Sequence, residues 1–369
     1  MPETTRSLVI SLGIVAVALG LAYTPSPSPP AEQSLVVVSG SELQEPLARL
    51  VETFETAYPS IDVDLKFQGS RDIVNRYIDD QNDFTPTVLI PANGALLGEL
   101  EERWQAQSNT PPFYGEPTAI AKTVLVGVAW PDRGDILFPA NTFAWDQVEE
   151  ALTKGQWADI GGDPAWGSFD LLITDPSRSN SGQLALSLWS QDKAGSRALT
   201  TQQLNDPEIP SLFSLVKRSV YQPPRSTDVL LKEFIARGPN DADMALVYES
   251  IALHRWQQSQ NSRGNAYQVY YLNPTIETVS TAAIATRDIS KTTADAAQTF
   301  LDFLAAPDQQ AVFVEFGFRP ADGSIDLQSV PNSPWSQAIP GASVTPPITS
   351  PTPDQTTFTE IIRLWQRAQ

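Results

Sequence analysis

The sequence contains no cysteine. This absence excludes disulfide bonds, metal sites built on thiolates, and lipid attachment through an N-terminal cysteine. It also removes one way of inferring the compartment, because the redox environment of a protein is read from its use of cysteine.

Histidine is scarce as well, since His254 is the only one in the chain, and this argues against a zinc site. The sequence also lacks the serine-hydrolase elbow, the glycine-rich nucleotide loops and a complete Ca²⁺ loop. Glu249, directly after a predicted strand, is the best single candidate for an acid–base carboxylate, and a salt-bridged glutamate is the ordinary alternative. We therefore predict a protein without catalytic residues, metal or cofactor.

Basic residues are fewer than acidic ones. The chain has 24 Lys and Arg against 43 Asp and Glu, which gives a net charge of −19. This balance argues against nucleic acid as a partner, because its phosphates require a basic surface. A dispersed acidic surface mainly confers solubility and does not itself indicate what the protein binds.

The first 33 residues contain the features of an exported protein. Arg6 precedes an apolar run over residues 8–22, which has the length of a signal-peptide core and is short for a membrane span. A Pro-rich spacer follows at residues 24–30. We predict a periplasmic or extracytoplasmic protein, with residues 8–22 either removed as a signal peptide or kept as a membrane anchor.

A strand followed by a polar loop recurs three times after this leader. Apolar strands are predicted near residues 35–38, 61–67 and 88–90, and amphipathic helices follow the first two. This is the alternation of an α/β fold with a mainly parallel sheet. Such sheets bind ligands at the carboxyl ends of their strands. The polar residues predicted at this edge are Ser39, Ser41, Ser70, Arg71 and Asn93.

Residues 170–189 repeat the pattern later in the chain. A short apolar run leads into a loop rich in Ser, Asn and Pro, and then into a helix. Ser179, Asn180 and Ser181 can hold an anionic or hydroxyl-rich ligand at the start of this helix, or can simply cap it. Tyr248, at the end of the buried strand 244–248, is a further candidate ligand contact.

The two sets of loops predict two lobes that face each other across a cleft. Lobe 1 comprises residues 34–121 and 277–330, and lobe 2 comprises residues 122–276. Residues 331–369 form a Pro-rich tail that ends in an amphipathic helix, with apolar residues at i, i+3, i+4 and i+7.

Several segments resemble the bacterial extracellular solute-binding proteins of the molybdate and sulfate type. Those that carry the resemblance are Ser39–Leu43, Phe67–Ser70, Ile120–Val126, Asp175–Gly182, Ala242–Tyr248 and Gly317–Pro320. The resemblance implies a two-lobed, hinged fold of the type II periplasmic binding proteins, with Ser41, Ser70 and Tyr248 as ligand contacts. It also implies a monomer that hands a small solute, an oxyanion or a small carboxylate, to the permease of a membrane transporter.

Alternatives remain for the function and for two sites. The fold could serve as an envelope interaction or sensory module without transport. Arg71, where the family has a small residue, could pair with an oxyanion in the cleft or with neighbouring acids. Tyr270 and Tyr271 are adjacent in an alternating strand, so their side chains point to opposite faces, and packing is favoured over iron binding.

Overall fold

The computed structural model describes residues 32–220, 222–263, 265–345 and 348–369. The predicted signal peptide or anchor at residues 8–22 lies outside these ranges. Within them the strands are β1 (Gln33–Gly40), β2 (Ile61–Gln68), β3 (Val88–Ile90), β4 (Phe113–Ala129), β5 (Leu171–Leu172), β6 (Met244–Tyr248), β7 (Gln268–Tyr271), β8 (Glu277–Ala285) and β9 (Arg319–Pro320).

The helices in the same ranges lie between and after these strands. They are α1 (Gln44–Ala57), α2 (Ser70–Ile78), α3 (Ala95–Gln105), α4 (Pro131–Leu137), α5 (Trp145–Lys154), α6 (Asn180–Lys193), α7 (Thr201–Leu204), α8 (Glu208–Ser219), α9 (Thr227–Arg237), α10 (Glu249–Arg263), α11 (Lys291–Ala305), α12 (Pro307–Glu315) and α13 (Gln355–Arg367).

The first sheet has the strand order β2-β1-β3-β8-β4. β1 pairs in parallel with both β2 and β3, as the recurring strand–helix pattern predicts. β8 then pairs antiparallel with β3 and with β4, so the sheet is mixed. The ends of β1, β2 and β3 that precede α1, α2 and α3 lie along one edge, because parallel strands bring their carboxyl ends together.

The long strand β4 belongs to two sheets. Its first part, up to Val124, pairs with β8, and its last part, from Leu125, pairs with β6 and β7. β5 extends this second sheet in parallel with β6. The predicted strand over residues 123–130 is confirmed, although it begins ten residues earlier, at Phe113. The chain returns to β8 through residues 272–276, where the Thr275 hydroxyl donates to the Leu125 carbonyl at 2.7 Å.

Two groups of helices cover the two sheets. We call the first sheet with α1, α2, α3, α11 and α12 the first half, and the second sheet with α4–α10 the second half. In the first half, Phe54 and Phe300 pack on one face of the sheet, and Tyr77 and Trp104 pack on the other. The second half has its own, larger core around β4, β6 and α6. Burial of this apolar surface is the main force that stabilises each half.

The C-terminal tail packs on the second half. The predicted amphipathic helix forms as α13, and Phe358, Ile361 and Trp365 are buried. α13 contacts α6, α7 and α8. The described residues 331–345 and 348–354 contain no long regular element, as predicted, apart from the short helical turn Pro334–Ser336. Across the part of the chain that is described, none of the helices is both long enough and apolar enough to span a membrane.

Candidate functional site

The loops that follow β1 and β2 meet the second half directly. The Ser41 hydroxyl lies 2.7 Å from the hydroxyl of Ser226. Ser226 is the N-cap of α9, and its side chain accepts a hydrogen bond from the Val229 amide. Because Ser41 follows β1 and Ser226 begins a helix of the second half, this contact crosses the junction.

Gly69, between β2 and α2, marks a close approach of the backbones of the two halves. A Cβ atom at this position would lie 2.7 Å from the carbonyl oxygen of Arg178, a separation too short for non-bonded atoms. The glycine therefore lets the end of β2 reach the loop before α6. The two halves are in contact at this point, so the cleft is closed.

An ion pair spans the junction beside Gly69. Asp72 of α2 accepts from Arg178, with 2.5 Å between Nη2 and Oδ2 and 3.4 Å between Nε and Oδ1. Both side chains are partly exposed, and exposed pairs of this kind are individually weak.

A cavity of about 350 Å³ opens between the same loops. Its lining consists of Ser41, Phe67, Gln68, Gly69, Asp72, Arg76, Arg178, Arg225 and Ser226. The lining therefore includes three arginines and one acidic residue, in a chain whose overall charge is strongly negative. Among the described residues, Arg76 and Arg225 have no ion-pair partner. The cavity therefore has an excess of positive charge and of hydrogen-bond donors, which suits an anion.

Of the residues predicted as ligand contacts, only Ser41 lines this cavity. Ser70 accepts a hydrogen bond from the Ala92 amide at 3.0 Å, and Asn93 accepts from the Ala95 amide at 3.0 Å. Ser39 is fully buried and donates to the carbonyl of the adjacent glycine, Gly40. These three side chains hold the strand-end loops of the first half in place.

Arg71 pairs within the first half. Its guanidinium lies 2.9 Å from the Glu99 carboxylate of α3, and both side chains are buried. Arg71 thus pairs with an acid and does not line the cavity. That acid is not a neighbour in sequence but lies on the adjacent helix α3.

The start of α6 carries a cluster of four buried hydroxyls. Ser181 lies 2.7 Å from Thr227, 2.8 Å from Thr174 and 3.1 Å from Ser179. Ser179 occupies the N-cap position, but its side chain makes no capping hydrogen bond. The cluster thus ties α6 to the start of α9, and its hydroxyls satisfy one another, as buried polar groups must.

Asn180 and Tyr248 meet beside β8. The Asn180 amide donates to the Tyr248 hydroxyl at 2.9 Å, and the Thr278 hydroxyl of β8 lies 3.5 Å from the same amide. Burial and the nearby charge of Glu42 raise the pKa of Tyr248 well above its ordinary value. The phenol is therefore neutral, and the contact connects α6, β6 and β8.

Glu249 forms a salt bridge, as the ordinary alternative for this residue predicts. It is fully buried at the start of α10, and Arg319 donates to both of its carboxylate oxygens, at 2.7 and 2.8 Å. Tyr271 also donates to Glu249, whereas Tyr270 is buried. His254 lies 2.7 Å from Glu45. The described residues contain no group of three or more His, Asp or Glu side chains that could hold a metal ion.

Arg178, Arg225, Ser226 and Glu42 were not predicted as site residues. Each lies within or next to a polar loop in the sequence, and this is the only feature of the sequence that could have indicated a role in the site. Their convergence depends on how the loop at residues 224–226 folds against the ends of β1 and β2, and one sequence does not reveal that packing.

Solved structures with this architecture are type II periplasmic binding proteins, two-lobed proteins with a hinge. A periplasmic thiamin binding protein is 15% identical with a TM-score of 0.63, covering 93% of this chain and 98% of that one. The sulfate-binding protein SubI from Mycobacterium tuberculosis H37Rv is 16% identical with a TM-score of 0.54, covering 79% and 88%. Iron-bound HitA from Pseudomonas aeruginosa is 15% identical with a TM-score of 0.55, covering 90% and 98%.

This chain belongs to the family described as bacterial extracellular solute-binding protein, whose model matches residues 35–319. The family is one of binding proteins and implies an extracytoplasmic location. Membership favours solute capture over the alternative of an interaction or sensory module. The chain is also similar to part of a curated protein, peptidyl-prolyl cis-trans isomerase-like 2 of Aspergillus fumigatus. The two are 28% identical over 128 residues, which cover 29% of this chain and 22% of that protein. That match is too short to bear on function.

Proposed function

We propose that the protein captures a small anionic solute in the 350 Å³ cavity between its halves and passes it to the permease of a membrane transporter. The proposal rests on one observation. A single cavity is lined by three arginines and two serines, namely Arg76, Arg178, Arg225, Ser41 and Ser226. An oxyanion or a small carboxylate matches this set of donors.

The size of the expected affinity follows from the number of donors. A hydrogen bond to a charged group contributes about 1.5–3 kcal/mol. Three or four such bonds, less the cost of closing the cleft, reach the −8 kcal/mol or so of micromolar binding. The arginines provide long-range attraction, and the two serines provide short-range orientation.

Hinge closure is the mechanism that we infer. β4 and residues 272–276 connect the two sheets, and the chain after β9 crosses again to the tail on the second half. The contacts of Gly69 and Asp72 with Arg178 form only when the halves meet. A solute that contacts both halves stabilises the closed form. On this basis we assign residues 34–121 and 277–330 to lobe 1 and residues 122–276 to lobe 2.

We assign the other predicted site residues to a supporting layer, with Ser41 as the direct contact. Ser39, Ser70 and Asn93 shape the loops of lobe 1. Ser179, Asn180, Ser181 and Tyr248 shape the wall formed by lobe 2. Arg71, paired with Glu99, is left out of the ligand-binding set.

The setting that we propose is the periplasm or another extracytoplasmic space. Residues 8–22 would act as a signal peptide or as an anchor, and the protein would work as a monomer. Detection of the mature N-terminus by mass spectrometry of protein isolated from its native membrane fraction distinguishes cleavage from retention.

Isothermal titration calorimetry against sulfate, molybdate, phosphate and small carboxylates tests the proposal. We expect at least one anion to bind, and we expect Arg225→Gln to weaken that binding. Arg237→Gln is the matched control, because Arg237 is exposed on α9 and pairs with Glu233 four residues away. If no anion binds, or if both variants lose affinity equally, the proposal is wrong.

A further inference from the structure

Glu42 lies at the junction of the halves with an unpaired carboxylate oxygen. It belongs to the short helical turn Ser41–Leu43, and only 7% of the residue is exposed. Its Oε1 atom has no hydrogen-bond partner among the described residues. A buried carboxylate oxygen without a partner is strongly unfavourable, so this position calls for a donor that comes from outside the chain.

The charge of the opposite half that acts on Glu42 has the same sign. Burial raises the pKa of Glu42, the backbone amide of Glu42 itself partly offsets that rise, and Asp228 of α9 adds to it, so that the pKa lies at about 7. Tyr248 also faces Glu42 and remains a neutral phenol. Neither group can neutralise a Glu42 carboxylate.

The positive groups of this region are already engaged. Arg255 of α10 donates to Asp228 with 2.5 Å between Nε and Oδ1, and it also donates to Glu45. Lys232 lies 2.6 Å from the other oxygen of Asp228. His254 is paired with Glu45. Each nearby cation therefore neutralises an acid other than Glu42.

Ser41 connects Glu42 with the arginine-lined cavity. A narrow space of about 10 Å³ is lined by Ser41, Glu42, Asp228 and Arg255, among others. Ser41 also lines the 350 Å³ cavity, where its hydroxyl meets Ser226. Ser41 therefore borders both the narrow space beside Glu42 and the arginine-lined cavity.

We propose that the solute is a small zwitterion, whose anionic group meets Arg178 and Arg225 and whose protonated amine meets the Glu42 carboxylate. This inference rests on the proposed function and narrows its solute class. The amine supplies the donor that the unpaired oxygen lacks, and a carboxylate, phosphate or phosphonate supplies the acceptor for the arginines. A plain anion would leave Glu42 unpaired in the closed cleft.

Matched solutes that differ only in the amine test this inference. We would titrate the full chain with 3-aminopropylphosphonate and propylphosphonate, and with β-alanine and propionate. We expect the amine to tighten binding about tenfold, the effect of one charged hydrogen bond. Glu42→Gln should abolish this difference and leave the affinity for the plain anions unchanged or higher. Glu101→Gln, at an exposed position on α3, is the control and should keep the difference.

A wild-type pH series provides a second measurement that does not depend on a variant. The preference for the amine should shrink as the pH falls from about 8 to about 6, because Glu42 then takes up a proton and loses its charge. The inference is overturned if the amine adds nothing in wild-type protein, or if Glu42→Gln retains the preference. If anions bind and the amine gives no preference, the inference of a zwitterion is wrong and the proposed function stands. If neither anions nor zwitterions bind, the inference and the proposed function are both wrong.

Discussion

Asp72 and Arg178 join the two lobes through an ion pair with 2.5 Å between Oδ2 and Nη2. Asp72 belongs to α2, which follows the end of β2, and Arg178 belongs to the loop that leads into α6. The pair therefore exists only when the cleft is closed, and it occupies an arginine that also lines the cavity.

Asp72→Asn should open the cleft in the absence of solute. A partly exposed ion pair contributes about 0.2–1 kcal/mol, so its loss lowers the ratio of closed to open protein by at most about fivefold. Small-angle X-ray scattering of the solute-free protein should give a larger radius of gyration. Glu315→Gln is the control, because it removes the Arg49–Glu315 pair within the first half. An equal change in both variants, or in neither, contradicts the prediction.

Gly69→Ala should hinder closure through steric contact alone. The added Cβ would lie 2.7 Å from the Arg178 carbonyl oxygen, and the backbone conformation of Gly69 (φ −62°) suits alanine. We expect anion affinity to fall about tenfold, or about 1.4 kcal/mol, with an unchanged melting temperature. Gly98→Ala on α3 is the control, because nothing lies within 4 Å of the new Cβ. Unchanged affinity in Gly69→Ala would show that the lobes do not close as tightly as described.

Much of the fold follows from local patterns in the sequence. The apolar run Leu35–Val38, the alternation over Ile61–Phe67 and the amphipathic spacing from Phe358 to Trp365 each specify one element, because the period of burial is set by the geometry of a strand or helix. The strand-end positions of Ser41 and Ser70 follow in the same way.

The candidate site is less predictable because its contacts join distant segments. Ser41 meets Ser226 across 185 positions, and Arg71 meets Glu99 across a helix–helix contact. Glu42 has the sequence context of an ordinary helix start, and only the packing of α9 against the turn makes it buried and unpaired. A single sequence specifies which residues are polar, but tertiary packing decides which of them remain without a partner.

Ser181→Ala should reduce stability and leave solute affinity unchanged. Ser181 lies within hydrogen-bond distance of three hydroxyls, and removing one partner from a buried network costs about 1–3 kcal/mol. Thermal unfolding and calorimetry on the same samples measure the two quantities. Ser187→Ala is the control, since that buried hydroxyl on α6 has no partner among the described residues and its loss should be close to neutral. Weakened binding at constant stability would instead make Ser181 a ligand contact.

Glu42→Gln should stabilise the solute-free protein above neutral pH and have little effect in mild acid. Burial raises the pKa of Glu42 from 4.5 to about 7, so between these values the folded state holds a proton that the unfolded state releases. Stability therefore falls as the pH rises through this window, and the full penalty, on the order of 3 kcal/mol, is present above it. Glutamine does not titrate and escapes the penalty. Asp243, whose pKa is raised to about 6, is present in both proteins, so its contribution cancels.

Urea unfolding of both proteins at about pH 5 and about pH 8 measures the difference, with Glu101→Gln as the exposed control. A stability gain of equal size at both pH values would mean that the Glu42 carboxylate is not the group that titrates.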